Sequence, residues 1–102
     1  MFLVQILLPL RVNESRPLPP ELYDGVVKTL TETFGGVTAY TRTTAEGRWK
    51  EAGAQTQADE IVVVEVMART VDKMWWKDYR ASIEASFRQK HVIVRAHRIQ
   101  LI

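Results

Sequence analysis

The feature that most constrains this chain is a largely apolar run at residues 59–68, Asp-Glu-Ile-Val-Val-Val-Glu-Val-Met-Ala, which begins with two acidic residues and has one further carboxylate, Glu65, inside it. A second run, residues 2–10, reads Phe-Leu-Val-Gln-Ile-Leu-Leu-Pro-Leu. Strands that are apolar on both faces lie in the middle of a sheet with both of its faces covered. We therefore predict two central strands, each of which needs cover on both sides.

The size and composition are typical of a single domain, which we predict over residues 1–102. The chain has 102 residues, of which 46% are hydrophobic, enough for one core and too few for two. Its 14 basic and 12 acidic residues are interspersed and give a net charge of +2, so nothing calls for a nucleic-acid or membrane partner. The absence of cysteine excludes disulfides and thiolate chemistry. We expect a cytoplasmic protein without a signal peptide, because the N-terminal apolar stretch lacks a basic residue before it.

Two segments have the residue spacing of amphipathic helices. Pro19-Pro20-Glu21 predicts the start of the first helix, and Gly35-Gly36 predicts its end. Gly25 lies inside this helix at a cost of about 1 kcal/mol relative to alanine, so we expect a close contact there. The second helix is predicted to begin with Thr70 as its N-cap and to point Trp76 away from the core. Its predicted buried face consists of Val71, Met74, Trp75, Ile83 and Phe87.

The predicted elements follow the order strand, helix, strand, strand, helix, strand. The strands are residues 2–10, residues 37–43, a strand that begins between Gln55 and Glu60, and a last strand from His91 onward. This order is that of the ferredoxin-like βαββαβ fold, an α+β fold. It has a four-stranded antiparallel sheet, both helices on one face, and the first and third strands in the centre. The other face of the sheet is then left open.

Large apolar side chains are predicted on this open face. Alternation along each strand assigns to it Leu3, Gln5, Leu7, Ile61, Val63, Glu65 and Met67, flanked by Thr38, Tyr40, Arg42, Ile93, Arg95 and His97. At about 25 cal/mol per Å² of apolar surface, leaving this face in water forfeits several kcal/mol. We therefore predict a homodimer that forms through the open face.

Three short motifs carry a resemblance to a known group of proteins. Phe34-Gly-Gly-Val-Thr38, Gly47-Arg-Trp-Lys50 and Phe87-Arg-Gln89, the last followed by a Val-rich strand, resemble parts of small bacterial proteins of unknown function with a ferredoxin-like fold. The architecture is also similar to that of dimeric α+β barrel proteins, among them antibiotic-biosynthesis-type monooxygenases, whose paired sheets enclose a small-molecule cavity. The resemblance implies a dimeric α+β barrel and carries over no catalytic residue.

The candidate site residues are polar or aromatic side chains on or beside the open face, namely Gln5, Tyr40, Arg42, Trp49, Glu65, Arg95 and His97. Among apolar neighbours Glu65 needs a partner, which Arg42, Arg95 or His97 could supply, with Gln5 beside it. A structural ion pair is the simplest interpretation. The alternative is that Glu65 and a histidine act as acid and base on a small substrate in a shielded cavity. Trp49 could cap such a cavity or pack against the sheet edge.

Other kinds of site have little support in the sequence. His91 and His97 share one face of a strand but lie roughly 20 Å apart, so we predict no metal site and no cofactor. RNA-binding modules with this element order stack bases on aromatic residues of the central strands, where this chain has none, so we predict no nucleic-acid partner. Two functions remain. We favour a homodimeric or interaction domain without enzymatic activity; the alternative is a small-molecule binding protein or cofactor-independent enzyme with a cavity on the open face.

Overall fold

The computed structural model describes residues 1–12, 16–46 and 58–102 of the chain. In these residues the elements, in chain order, are β1 (Phe2–Pro9), β2 (Arg11–Val12), β3 (Arg16–Pro17), α1 (Pro20–Phe34), β4 (Ala39–Glu46), β5 (Ala58–Ala68), α2 (Lys73–Ser86) and β6 (Ile93–Arg98). Trp49, and with it part of the predicted candidate site, lies outside the described residues.

The main sheet has β1 and β5 at its centre. Within the described residues it contains four antiparallel strands in the order β4, β5, β1, β6, while β2 and β3 pair with each other as a separate short ribbon. The two apolar runs form the central strands, where each has a hydrogen-bonded strand on both sides that shields it from water. The predicted α+β fold, with an antiparallel sheet and helices, is confirmed, and the strand order is compatible with a ferredoxin-like fold.

The core lies between one face of this sheet and the two helices α1 and α2. Alternate residues of the central strands are at most 2% exposed, namely Val4, Ile6, Leu8, Val62, Val64 and Val66. The helices place Tyr23, Val26, Leu30, Trp76, Ile83 and Phe87 against them. Full burial of one such side chain contributes about 1.5–3 kcal/mol, so this layer supplies most of the apolar driving force for folding. Both helices therefore cover the same face of the sheet.

Helix α1 begins and ends where the sequence predicts. Pro19 stands at its N-cap position, and Gly35 ends it in the left-handed conformation with φ of 85°. The Gly35 amide donates a hydrogen bond to the Thr31 carbonyl at 2.9 Å, which satisfies one of the carbonyls left free at a helix end. The Tyr23 hydroxyl donates to the Pro9 carbonyl at 2.6 Å. This bond ties α1 to the end of β1.

Helix α2 differs from the prediction at its start and in its buried face. Asp72 is the N-cap instead of Thr70, and its side chain accepts a hydrogen bond from the Trp75 amide at 3.1 Å. Trp76 is 5% exposed and lies in the core, whereas Met74 is 73% exposed and Trp75 is half-buried. Because apolar side chains occupy consecutive positions here, the helical period does not decide which of them faces the sheet. The assignment of Met74 to the core face, and of Trp76 away from it, is therefore wrong, whereas Trp75 packs against the core as predicted but is only half-buried.

Aromatic side chains join the end of α1 to the start of α2. Phe34 stacks on Trp76 with ring centroids 5.3 Å apart, and Trp75 meets the Trp76 ring edge-to-face at 4.8 Å. Tyr79 lies against Trp75 at 5.0 Å. Burial raises the pKa of Tyr79 above its ordinary value of 10.0, and the polar side chain of Thr29 on α1 opposes this increase. The pair Trp75-Trp76 therefore packs helix against helix.

Gly25 has no packing partner at its α-carbon. The residue is exposed, and a Cβ built there would have nothing within 4 Å outside its own helix backbone. The expectation of a close contact at this position is therefore wrong. Gly25 imposes the conformational cost of glycine in a helix without a visible gain in packing.

We predict that Gly25→Ala stabilises the protein by about 0.5–1 kcal/mol, because alanine loses less backbone freedom on folding and meets no clash. Urea unfolding followed by circular dichroism would measure the change. Gly35→Ala is the matched control. It should destabilise the protein, since an alanine at φ of 85° is strained. A loss of stability in Gly25→Ala would show that the position needs glycine for another reason.

Candidate functional site

The open face is the side of the sheet opposite the helices, and its side chains form rows that run across the strands. Gln5 of β1 lies opposite Glu65 of β5 on one side and Arg95 of β6 on the other. Ala39 of β4 extends the same row beyond Glu65. We call Glu65, Gln5 and Arg95 the polar row. It crosses the middle of the open face, as the side chains of directly paired residues point to the same side.

The three side chains of the polar row are joined by hydrogen bonds. The Arg95 Nε donates to the Gln5 Oε1 at 2.8 Å, and the Gln5 Nε2 donates to the Glu65 Oε2 at 2.6 Å. Glu65 and Gln5 are half-buried on the central strands, whereas Arg95 is exposed on the edge strand β6. Each of the two bonds has one charged partner, and such a bond contributes about 1.5–3 kcal/mol when it is shielded from water. Because the Gln5–Glu65 bond is partly buried and the Arg95–Gln5 bond is exposed, the Gln5–Glu65 bond is the stronger of the two.

Apolar rows lie on both sides of the polar row. On one side, Leu7 pairs with Val63 and Ile93; on the other, Leu3 pairs with Met67 and His97. Met67 is 38% exposed and Ile93 is 41% exposed. The described open-face positions of β4 hold only small or polar side chains, Ala39, Thr41 and Thr43. The apolar part of the open face is therefore centred on β1 rather than on the middle of the sheet.

The predicted positions of Tyr40 and Arg42 are corrected by the strand register. Tyr40 pairs with Val64 and Arg42 pairs with Val62, and both valines belong to the core. Tyr40 and Arg42 therefore lie on the helix side of β4, away from the polar row. Burial raises the pKa of Tyr40, with a smaller contribution from the negative charge of Asp24 on α1. Since both faces of this edge strand are polar, its alternation alone does not tell which residues face the helices.

Arg42 has a partner that the sequence did not indicate. Its Nη2 lies 3.2 Å from the Glu60 Oε2, and the two side chains are 67% and 47% exposed. An exposed ion pair of this kind contributes about 0–1 kcal/mol. The opposite charges of Arg42 and Glu60 could have indicated this ion pair in the sequence. Only the register between β4 and β5, however, shows that the two residues are neighbours. Of the suggested partners for Glu65, Arg95 alone reaches it, through Gln5.

His97 shares the open face but stands apart from Glu65. It pairs with Leu3 in the next row, and β1 separates its strand from β5, which places the two backbones roughly 10 Å apart. A proton transfer between Glu65 and His97 within one chain would therefore need an intervening molecule. Across residues 1–12, 16–46 and 58–102, no group of three or more acidic or histidine side chains is placed to hold a metal ion.

Comparisons with protein-family models, with curated proteins and with solved structures find no match for this chain. Among the described residues, neither α1 nor α2 nor any other helix is long and apolar enough to cross a membrane. The functional interpretation consequently depends on the geometry of the open face.

We predict that Gln5→Glu destabilises the protein at neutral pH by about 2 kcal/mol or more, because it sets a second carboxylate beside Glu65 in a half-buried position. At mildly acidic pH the loss should shrink, since one of the two carboxylates takes up a proton and can donate the hydrogen bond that Gln5 donates in the native chain. Urea unfolding at both pH values would measure this. Thr41→Glu, on the same face but outside the polar row, is the control. An equal loss in both variants would mean that the polar row is not coupled as described.

Proposed function

We propose that this protein is a self-associating module whose open sheet face is covered by a second copy of the same chain, without an enzymatic activity of its own. The observation that supports this most is the set of large side chains left on that face. Leu3, Leu7 and Val63 are only half-buried and Ile93 and Met67 are exposed, although the central strands that carry most of them are filled on their other face.

The hydrophobic effect favours burial of the open face. Large contiguous apolar patches are rare on the surface of monomeric proteins, and those that occur mark interaction sites. Each half-covered leucine or valine gains a share of the roughly 1.5–3 kcal/mol available from complete burial. Neither α1 nor α2 can supply the cover, as both lie on the other side of the sheet.

A second copy is the partner that best fits the charges of the face. The polar row has a carboxylate at one end and a guanidinium at the other, so the face as a whole is near neutral and complementary to itself. Most soluble oligomers are homo-oligomers, and an interface with two-fold symmetry uses the same patch on both subunits. Two sheets packed face to face with helices outside form a dimeric α+β barrel, the architecture that the sequence resemblance implies.

We predict that the native chain sediments as a species of twice the 11.7 kDa chain mass. Leu7→Glu, which adds a charge at the centre of the apolar patch, should raise the dimer dissociation constant about 100-fold or more. Met74→Glu is the matched control, because Met74 is 73% exposed on α2 and lies away from the open face. Its dissociation constant should equal that of the native chain.

Circular dichroism would establish that both variants remain folded before sedimentation is compared. A native chain that stays monomeric at every accessible concentration would contradict the proposed function. So would a dimer that Met74→Glu weakens as much as Leu7→Glu does.

The second candidate function is a small-molecule binding site, or a cofactor-independent active site, on the same face. It is favoured by one observation, the presence of hydrogen-bonded polar groups in the middle of an apolar surface. Convergent polar side chains surrounded by apolar ones are the usual lining of a ligand pocket. Gln5, Glu65 and Arg95 would bind the ligand, and His97 would lie at its margin.

A bound molecule would be visible in native mass spectrometry of the purified protein as a mass above that of the assembled chains. We predict that Gln5→Leu, which removes the bridging amide while keeping a similar volume, abolishes any such added mass. Arg42→Gln is the control, because Arg42 lies on the other side of the sheet. An unliganded native spectrum would count against the second candidate and leave the self-associating module in place.

A further inference from the structure

We propose that Glu65 of each copy pairs with the partner's Arg95 across the interface, so that the two sheets meet with their β1 strands facing each other and running in the same direction. This inference rests on the proposed self-association and adds the orientation of the two copies, together with the residue that each contributes to the other.

The polar row is directional. Its negative end, Glu65, lies on β5, its neutral centre, Gln5, lies on β1, and its positive end, Arg95, lies on β6. Adjacent strands are about 4.8 Å apart, which puts the two charges roughly 10 Å apart with the amide midway between them. The hydrogen bonds run in one sense along the row, from the guanidinium through the amide to the carboxylate.

Two orientations of a symmetric face-to-face pair are distinguished by these charges. A two-fold axis parallel to the strands and lying over β1 exchanges the positions of β5 and β6, which sets Glu65 opposite the partner's Arg95. A two-fold axis along the polar row sets Glu65 opposite the partner's Glu65 and stacks the two arginines as well. Like charges facing each other at a poorly hydrated interface repel strongly, whereas opposite charges attract. The charges therefore select the axis parallel to the strands.

The distribution of apolar side chains decides where an axis parallel to the strands lies, while the choice between the two orientations rests on the charges. Since β4 presents Ala39, Thr41 and Thr43, the large apolar side chains of the open face come from β5, β1 and β6. With an axis parallel to the strands, a pair that buries these three strands from each copy has that axis over the middle one, β1. That axis sets Leu7 opposite the partner's Leu7.

The hydrogen-bonding capacity of the polar row is only partly used within one chain. Among the contacts between described residues, Arg95 donates through Nε and Glu65 accepts through Oε2. A guanidinium has five N–H donors and a carboxylate has about four acceptor positions, so both ends can make further bonds. Pairing across the interface would satisfy part of that capacity at the moment when the surrounding apolar rows exclude water. Each interface would contain the contact twice, because the two copies are equivalent.

Cysteine crosslinking would report the orientation directly, and the chain has no native cysteine to interfere. In the proposed orientation, Val63 lies opposite the partner's Ile93, so a mixture of Val63→Cys and Ile93→Cys chains should crosslink with a short bismaleimide. In the other orientation, Val63 lies opposite the partner's Met67, and a mixture of Val63→Cys and Met67→Cys should crosslink instead. Lys77→Cys, on the exposed side of α2, is the negative control.

Charge reversal would test the pairing itself. Glu65→Arg should raise the dimer dissociation constant about 100-fold, because an arginine then faces the partner's Arg95. The double variant Glu65→Arg/Arg95→Glu should return to within about threefold of the native value, since the reversed row is again complementary and the Gln5 amide can flip to serve it. Glu60→Arg makes the same change of charge on the helix side of the sheet and should leave the dissociation constant unchanged.

The outcomes separate this inference from the proposed function. A dimer that crosslinks through Val63 and Met67, or one that the double variant does not restore, would overturn the pairing of Glu65 with the partner's Arg95 while leaving self-association intact. A native chain that is monomeric would overturn both. Crosslinking through Val63 and Ile93 together with restoration by the double variant would establish the pairing.

Discussion

The apolar character of β1 and β5 on both of their faces is the constraint on which the rest of this structure depends. Their helix-facing residues, such as Ile6 and Val64, are completely buried under α1 and α2. The opposite residues, such as Leu7 and Val63, are equally apolar, but neither α1 nor α2 lies above them. A small domain has a net stability of only about 5–15 kcal/mol, so a few half-exposed leucines and valines are a considerable fraction of it. The proposed assembly follows from this imbalance between the two faces.

The polar row places a different requirement on the same surface. Replacing Glu65, Gln5 and Arg95 by apolar side chains would strengthen nonspecific association, and buried charges seldom add net stability over well-packed hydrophobic residues. A charged row that is directional does restrict the orientations in which two such faces can meet without stacking like charges. We interpret the row as an element of specificity, in which the amide of Gln5 holds the two charged ends in fixed positions.

The elements with strong local signals were predictable, and those decided by packing were not. Prolines before α1 and glycines after it mark the ends of that helix in the sequence, because each has a backbone preference of its own. The start of α2 was less clear, as Thr70 and Asp72 are both acceptable N-caps and tertiary contacts decide between them. The sequence also does not tell which of the consecutive residues Trp75 and Trp76 is buried. Contact with Phe34 and with the core makes Trp76 the buried one.

By itself, the sequence determined which strands are central and that Glu65 faces away from the helices, because alternation along a strand is a local property of the backbone. Only the tertiary structure decided how the strands align. The register confirms Gln5 beside Glu65, sets Arg95 on the other side of Gln5, and turns Tyr40 and Arg42 toward the helices. A shift of one residue between paired strands exchanges their faces, and on an edge strand with two polar faces no hydrophobic pattern opposes that shift. The register therefore arises from the pairing of whole strands.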